Sequence, residues 1–437
     1  MLRSLHTPLL AYRHADGEEG AELLPALAVE LPQVTEDGRT YTLRLREGML
    51  YSDGTPIRAS DFEFAIDRLR ALNPADARRY ADIAEIRADD SSGRITIRLA
   101  EPRGSFAYDL ALPFAAPVPR GWAESDESGP PSSGQFEVVP PGGPPGLLRL
   151  DRNPRFRTVL EAGAELPEPE VLGVAVLTGA RQPAGFVPVA GNSLEVAYIW
   201  MNTQSPPFND ARVRQAVNHA LDRQRLVEIL DGTLDPGEEI LPEGMPGHET
   251  LAVYSPDLAR ARELITEANP LDTEVTVWTD DTRDDRRIAR YYRNRLAAIG
   301  LTATLMVVPR GAHDDSVGDL DAPGLDTGVT EARPGSAHPA ELLELLDGDR
   351  ITPEGNQNLA RVDIPELNAE LDRLLMLMLD RSEDGYADLD RALMAEAVWA
   401  PLGQRRVAAL VSDRLDLDRV VIHPLLGLDL TSLEPAP

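Results

Sequence analysis

The 437-residue sequence contains no cysteine and no lysine. Without cysteine there can be no disulfide, thiolate metal site, cysteine nucleophile or lipid-anchored cysteine within these residues. The absence of lysine makes arginine the carrier of all 43 basic charges, against 73 acidic residues and a net charge of −30. A field of that sign repels nucleic acid and anionic lipid, so neither is an expected partner. The acidic surplus reads as a solvated surface that keeps the protein soluble. No run of about eighteen apolar residues occurs, so no membrane-spanning segment is expected. The first twenty residues also lack a basic region, a sustained apolar core and a small-residue cleavage site.

Enzyme signatures are scarce as well. There is no G-x-S-x-G elbow, H-E-x-x-H, P-loop or G-x-G-x-x-G. The seven histidines are scattered without ligand spacing. No cofactor, metal or catalytic residue is therefore expected. The acid-rich stretches Thr279 to Asp285 and His313 to Asp321 do not fit a calcium loop and read as solvated loops.

What remains is a chain with 42% apolar residues, enough for a large core divided into two to three domains. Tyr41, Leu43 and Leu45 alternate with polar residues, as on a strand with one wet face. The turn Ser52 to Pro56 follows, with Gly54 tolerating positive φ. Ser60 and Glu63 then have the spacing of a capping box ahead of a helix bearing Phe62, Ala65, Ile66 and Leu69. Arg94 to Ala100 is another alternating strand. Glu124 to Gly134 and Pro140 to Gly146 are Pro/Gly/Ser-rich and read as loop, and Leu147 to Phe156 returns to strand.

Leu194 to Met201 is an apolar run suited to a strand covered on both faces. One helix follows, capped by Asn209 or Asp210 and stopped by Gly232. From Leu251 helices and strands alternate as in a βαβ sheet. Further helices are expected over Pro365 to Leu379 and Tyr386 to Trp399, and strand from Arg405 on. Trp200 and Trp278 read by default as core packing; their place near strand ends and a domain crossing also suits a ligand site.

Leu23 to Leu69, with its "YTLRLREGMLYSDGTPIRASDF", resembles the family 5 extracellular solute-binding proteins, the peptide- and nickel-binding components of ABC importers. Leu150 to Phe156, Ile199 to Val227 and Tyr254 to Ala268 resemble further blocks of that family in the same order. The resemblance implies an α/β, two-lobe periplasmic-binding-protein-like fold with mixed sheets and an extra α+β subdomain on lobe one. Lobe one would span residues 1–205, including an accessory subdomain at 23–150; lobe two would span 206–398, and 399–437 would return to lobe one. It implies an N-terminally shortened member, and an abbreviated segment between about Pro167 and Asn192.

By the same resemblance the protein is a non-enzymatic, monomeric, extracytoplasmic importer component. It would capture a peptide-like or other small solute between the lobes and deliver it to ABC permease subunits. The alternative is a ligand-sensing or vestigial binding domain of a larger regulatory protein. Ligand is expected near Tyr198, Trp200, Asn202 and Trp278. Leu325 to Pro339 aligns with a family block that pairs its backbone with peptide ligand and receives the peptide amine on an aspartate. Gly328, Val329 and Thr330 could offer the pairing, but the aspartate falls at Ala332. Glu331 would then take the amine, or Arg333 would turn the site toward an anionic group, or both face solvent.

Overall fold

The computed structural model describes residues 2–35, 37–72, 78–122, 129–138, 148–156, 173–174, 184–270 and 274–436. Most of the Pro/Gly/Ser-rich loop and of the abbreviated 167–192 segment lies outside these. The chain forms two compact units: Met1–Gly191 with Met376–Met378 and Ala408–Pro437, and Asn192–Leu375 with Leu379–Val407.

The first unit contains a four-stranded antiparallel sheet of Gln33–Val34, Thr40–Arg44, Arg94–Leu99 and Ile83–Asp89, in that order. Tyr41 and Leu43 are buried on it together with Ile95, Ile97 and Leu99, while the residues between them stay wetter, which is the period-2 pattern of the sequence. Gly54 turns the chain at φ +92°. The helix Ala59–Leu72 buries Phe62, Ala65 and Ile66 and packs on Ile83–Asp89. Its N-terminus differs from the expected capping box. Ser60 already lies within the helix and donates its N–H and Oγ to Asp90, at 2.8 and 2.9 Å. Asp61 accepts from the Arg58 and Arg120 N–H groups and from Tyr51 Oη. Carboxylates already held by tertiary structure thus satisfy these donors better than Glu63 reaching back.

The second unit holds most of a six-stranded mixed sheet. Its strands, in chain order, are β1 (Phe186–Met201), β2 (Leu234–Asp235), β3 (Glu274–Asp280), β4 (Thr302–Val308), β5 (Thr327–Ala332) and β6 (Trp399–Ser412). Their order across the sheet is β2–β6–β1–β5–β3–β4, with β3 and β4 parallel and β5 antiparallel to β1. One face carries Ala197, Ile199, Met201, Val277, Val329 and Leu402. Against it pack the helices α1 (Ala211–Ala220), α2 (Arg223–Ile229), α3 (Leu258–Ala268) and α4 (Arg283–Ala298). Asp210 caps α1 by accepting from Arg212 N–H. The single helix expected here is broken at Leu221, because Asp222 caps α2 in its own right. The connection β3–α4–β4 is the βαβ unit legible in the sequence. Further helices follow, among them α5 (His313–Val317), α6 (Pro365–Leu375) and α7 (Glu383–Ala395). The last ends before Trp399, because Ala397 takes φ +52° and turns the chain into β6.

Asp390 on α7 is 2% exposed, and its two oxygens accept the backbone N–H groups of Ile240 and Leu241 at 3.1 and 3.0 Å. Burial outweighs these two bonds and pushes its pKa up from 3.8 to about 6; Glu239 nearby adds to the rise and His248 opposes it. The folded protein thus holds this proton more tightly than the unfolded chain does. The resulting stabilisation is complete below about pH 4 and disappears as pH rises through about 6. Between pH 4 and 7 the wild type is expected to lose at most about 3 kcal/mol relative to Asp390→Asn. Urea unfolding of both proteins across that range measures it, and parallel pH curves would contradict the assignment.

Candidate ligand-binding site

The face of the second sheet opposite α1–α4 is aromatic. Strand register sets Trp200 beside Gly328, Gly328 beside Trp278 and Tyr198 beside Thr330. Laterally paired residues share a face, so these side chains form one field. Gly328 makes the close approach of Trp200 possible: a Cβ there would stand 2.6 Å from the indole Nε1. Tyr198 stacks on Trp399 with centroids 3.7 Å apart and 19° between planes. Such a pair is worth about 0.5–1.5 kcal/mol beyond its area.

Tyr198, Trp200 and Trp278 are 3%, 1% and 7% exposed. The Trp200 N–H points at His313 Nε2 at 3.4 Å, and the Trp278 N–H donates to Gly324 O at 2.7 Å. Both tryptophans are packed and hydrogen-bonded by their own unit. The Trp399 N–H is buried and has no partner among the described residues, the kind of orphan donor that asks for an explanation. Asn202, just past β1, donates to Leu325 O at 2.7 Å and fixes the entry to β5.

β5 has one closed and one partly open edge. Along β1 it pairs from Thr327 to Ala332, but along β3 it pairs only at Thr327 and Gly328. Past the Trp278–Gly328 pair, β5 has no further strand partner on the β3 side among the described residues. Thr330, halfway along that edge, points its Oγ1 at Asp314 Oδ1, 3.4 Å away. Asp314 lies on α5, its side chain 74% exposed, and its Oδ1 is 2.9 Å from His313 Nδ1. Tyr198 ionises only well above the ordinary tyrosine value, first because it is buried and then because Asp314 faces it. An accessible carboxylate thus stands beside an open strand edge and an aromatic field.

Glu331 and Arg333 are engaged elsewhere. Glu331 turns to the helical face, where Arg405 Nε donates to its Oε1 at 2.5 Å and Arg333 donates to its Oε2 at 2.7 Å. Arg405 also faces Asp285 of α4 at 3.7 Å, and Arg333 reaches Glu195 at 3.4 Å. Burial would raise the Glu331 pKa, but the two guanidinium groups outweigh it and hold it below the ordinary value. Burial prevails at Glu195 and Asp285, whose pKa values are raised. Val329 faces the apolar core.

Sequence reasoning missed Asp314, His313, Trp399 and Arg405. Asp314 was hidden in an acid-rich block that gives no local sign of its neighbour Thr330. Trp399 could have been found, since the apolar run from Val398 into "WAPLG" departs from helical spacing. Among the described residues no group of histidine and acidic side chains is placed to hold a metal ion, and no helix is long and apolar enough to cross a membrane.

The sequence profile of the bacterial extracellular solute-binding proteins, family 5 (middle), matches residues 22–168 and 162–350. The glutathione-binding protein GsiB of Escherichia coli (strain K12) is 27% identical over 311 residues, which cover 64% of this chain and 60% of that protein. The chain thus spans less than two thirds of that relative. The protein of the same name from Pectobacterium atrosepticum is 25% identical over 421 residues, 87% of this chain and 80% of its own length. Among solved structures, clavulanic acid biosynthesis oligopeptide binding protein 2 superposes with a TM-score of 0.81 at 24% identity, over 100% of this chain and 91% of that one. This likeness shows the fold, the two-lobe periplasmic-binding-protein-like α/β architecture with mixed sheets. The chain therefore belongs to the bacterial extracellular solute-binding proteins of family 5, a family that binds solutes and is not catalytic.

Proposed function

We propose that the protein is the solute-binding component of an ABC importer, works outside the cytoplasm without catalysing a reaction, and takes a peptide-like solute bearing a free ammonium group. The observation that carries this reading is the edge of β5 left without a strand partner past Gly328, with the Asp314 carboxylate beside it. An extended ligand backbone pairs along the edge, an arrangement that tolerates varied side chains. Its ammonium meets Asp314 in a charge-assisted hydrogen bond. Thr330 and the Tyr198–Trp399 stack wall the ligand, and the unpartnered Trp399 N–H is the donor for a ligand carbonyl. Trp200, Trp278, Asn202 and Gly328 hold this wall in place from beside it. Glu331 is neutralised by Arg405 and Arg333, so it does not compete for the amine. Arg333 shares its charge with Glu331 and Glu195, which leaves it a weak anchor for an anionic group.

Two relatives named for glutathione and an oligopeptide suit a ligand of this class. Mass spectrometry of small molecules released from the purified protein tests the reading. Peptides or amine-bearing peptide derivatives are expected; a co-purifying solute without an amino group would overturn it.

A further inference from the structure

One margin of the second unit combines two features that the solute site does not use. β4 is the end strand of the six-stranded sheet, paired only with β3. Among the described residues nothing hydrogen-bonds to its outer edge. Sheet edges are ordinarily protected by charge, proline or a cover, because their free N–H and C=O groups invite another strand. Thr302–Val308 reads TATLMVV, without charge or proline, in a chain in which 27% of residues are charged. Met306 and Val307 are 44% and 39% exposed.

α4 precedes this strand and packs against it. It carries six arginines against two aspartates in 16 residues, in a chain of net charge −30. Arg287 and Tyr291 on one flank reach Asp231 and Asp222. Arg286 lies on the opposite flank and pairs with Asp281, whose N–H donates to Val308 O at the end of β4. Arg290 and Arg293 continue that flank at four- and seven-residue spacing, both exposed, and make no ion pair among the described residues. Along the helix axis Arg286 and Arg290 are about 6 Å apart, and Arg290 and Arg293 about 4.5 Å. Alternate residues of a strand are spaced by about 6.7 Å, so carboxylates on one face of a strand fall within reach of the long, flexible arginine side chains.

We propose that this margin is a docking surface for an extended, acidic segment of a partner protein. The segment adds to β4 as a seventh strand and sets alternate carboxylates on Arg290 and Arg293. A second copy of the chain is disfavoured, because antiparallel β4–β4 pairing would bring two arginine stripes together. A flat anionic membrane is disfavoured by the acidic surface around the stripe.

Fluorescence anisotropy with a labelled, end-capped peptide of alternating glutamate and valine tests the proposal. The glutamate peptide is expected to bind, more weakly as salt rises. Its lysine-for-glutamate and N-methylated forms are expected to bind at least about tenfold more weakly, the first reporting charge and the second backbone pairing. The exposed double variant Arg290→Ala/Arg293→Ala should weaken binding by at least about tenfold with an unchanged unfolding midpoint. Four results would overturn the proposal: no binding, equal binding of the N-methylated peptide, capture of the protein by anionic vesicles, or dimerisation in sedimentation that Thr304→Lys abolishes.

Discussion

Replacement of Arg405 by methionine is expected to destabilise the second unit by about 3–5 kcal/mol, the cost of leaving a buried charge without its partner. Arg405 is 9% exposed. The β6 strand reaches it through Gly403, which at φ +135° adopts a conformation closed to other residues and carries the chain past Asp235. That irregularity turns Arg405 toward Glu331 and Asp285. With the guanidinium removed, Glu331 retains only the more exposed Arg333, and Asp285 loses its cation. The double variant Arg405→Met/Glu331→Gln should recover part of the loss, because the stranded charge is gone. Urea unfolding of the single and double variants measures both terms. A single-variant cost below about 1 kcal/mol would place this network among ordinary surface ion pairs and refute the assignment.

Trp200→Ala carries a comparable expected cost, about 3–5 kcal/mol for emptying a buried aromatic site. The indole is 1% exposed and lies on the Gly328 backbone. Nothing at Gly328 can fill the space, since a side chain there is what the indole excludes. Trp200→Phe keeps most of the packing and should cost clearly less. The consequence reaches function: weaker ligand binding in Trp200→Ala would report collapse of the aromatic wall beside the site, whereas unchanged affinity in Trp200→Phe is expected. Chemical unfolding monitored by circular dichroism decides the first point. Equal stability of Trp200→Ala and wild type would show that the side chain is not part of the core.

Much of the fold was legible because it rests on local rules. The alternation at Tyr41 to Leu45, the Asp210 cap, the apolar strand before it and the β3–α4–β4 unit all declare themselves by period and spacing. The misreadings have two causes, a distant partner that outcompetes a local one and a local cap hidden within an apolar run. Asp90 supplants Glu63 at the helix beginning at Ala59, and Asp222 starts a new helix inside an unbroken apolar pattern. The candidate site was legible in part. Its aromatic residues and the β5 segment could be named, but their roles follow from strand register. Register puts Thr330 beside Tyr198 and leaves the β5 edge open after Gly328. The pairing of Glu331 with Arg405 joins residues 74 positions apart, and Asp314 comes to Thr330 from a different element. No pattern along the chain encodes either meeting.

Isothermal titration calorimetry of wild type and Asp314→Asn, with free-amine di- and tripeptides and their N-acetylated forms, tests the central claim most directly. The wild type is expected to bind the free-amine peptides, and Asp314→Asn to weaken them by about one to two decades, the worth of a charge-assisted hydrogen bond of roughly 1.5–3 kcal/mol. The acetylated peptides should bind both proteins equally and weakly, and Glu331→Gln should leave the preference for the amine intact. Failure of every peptide to bind, or tight amine-dependent binding that survives Asp314→Asn, would contradict the account.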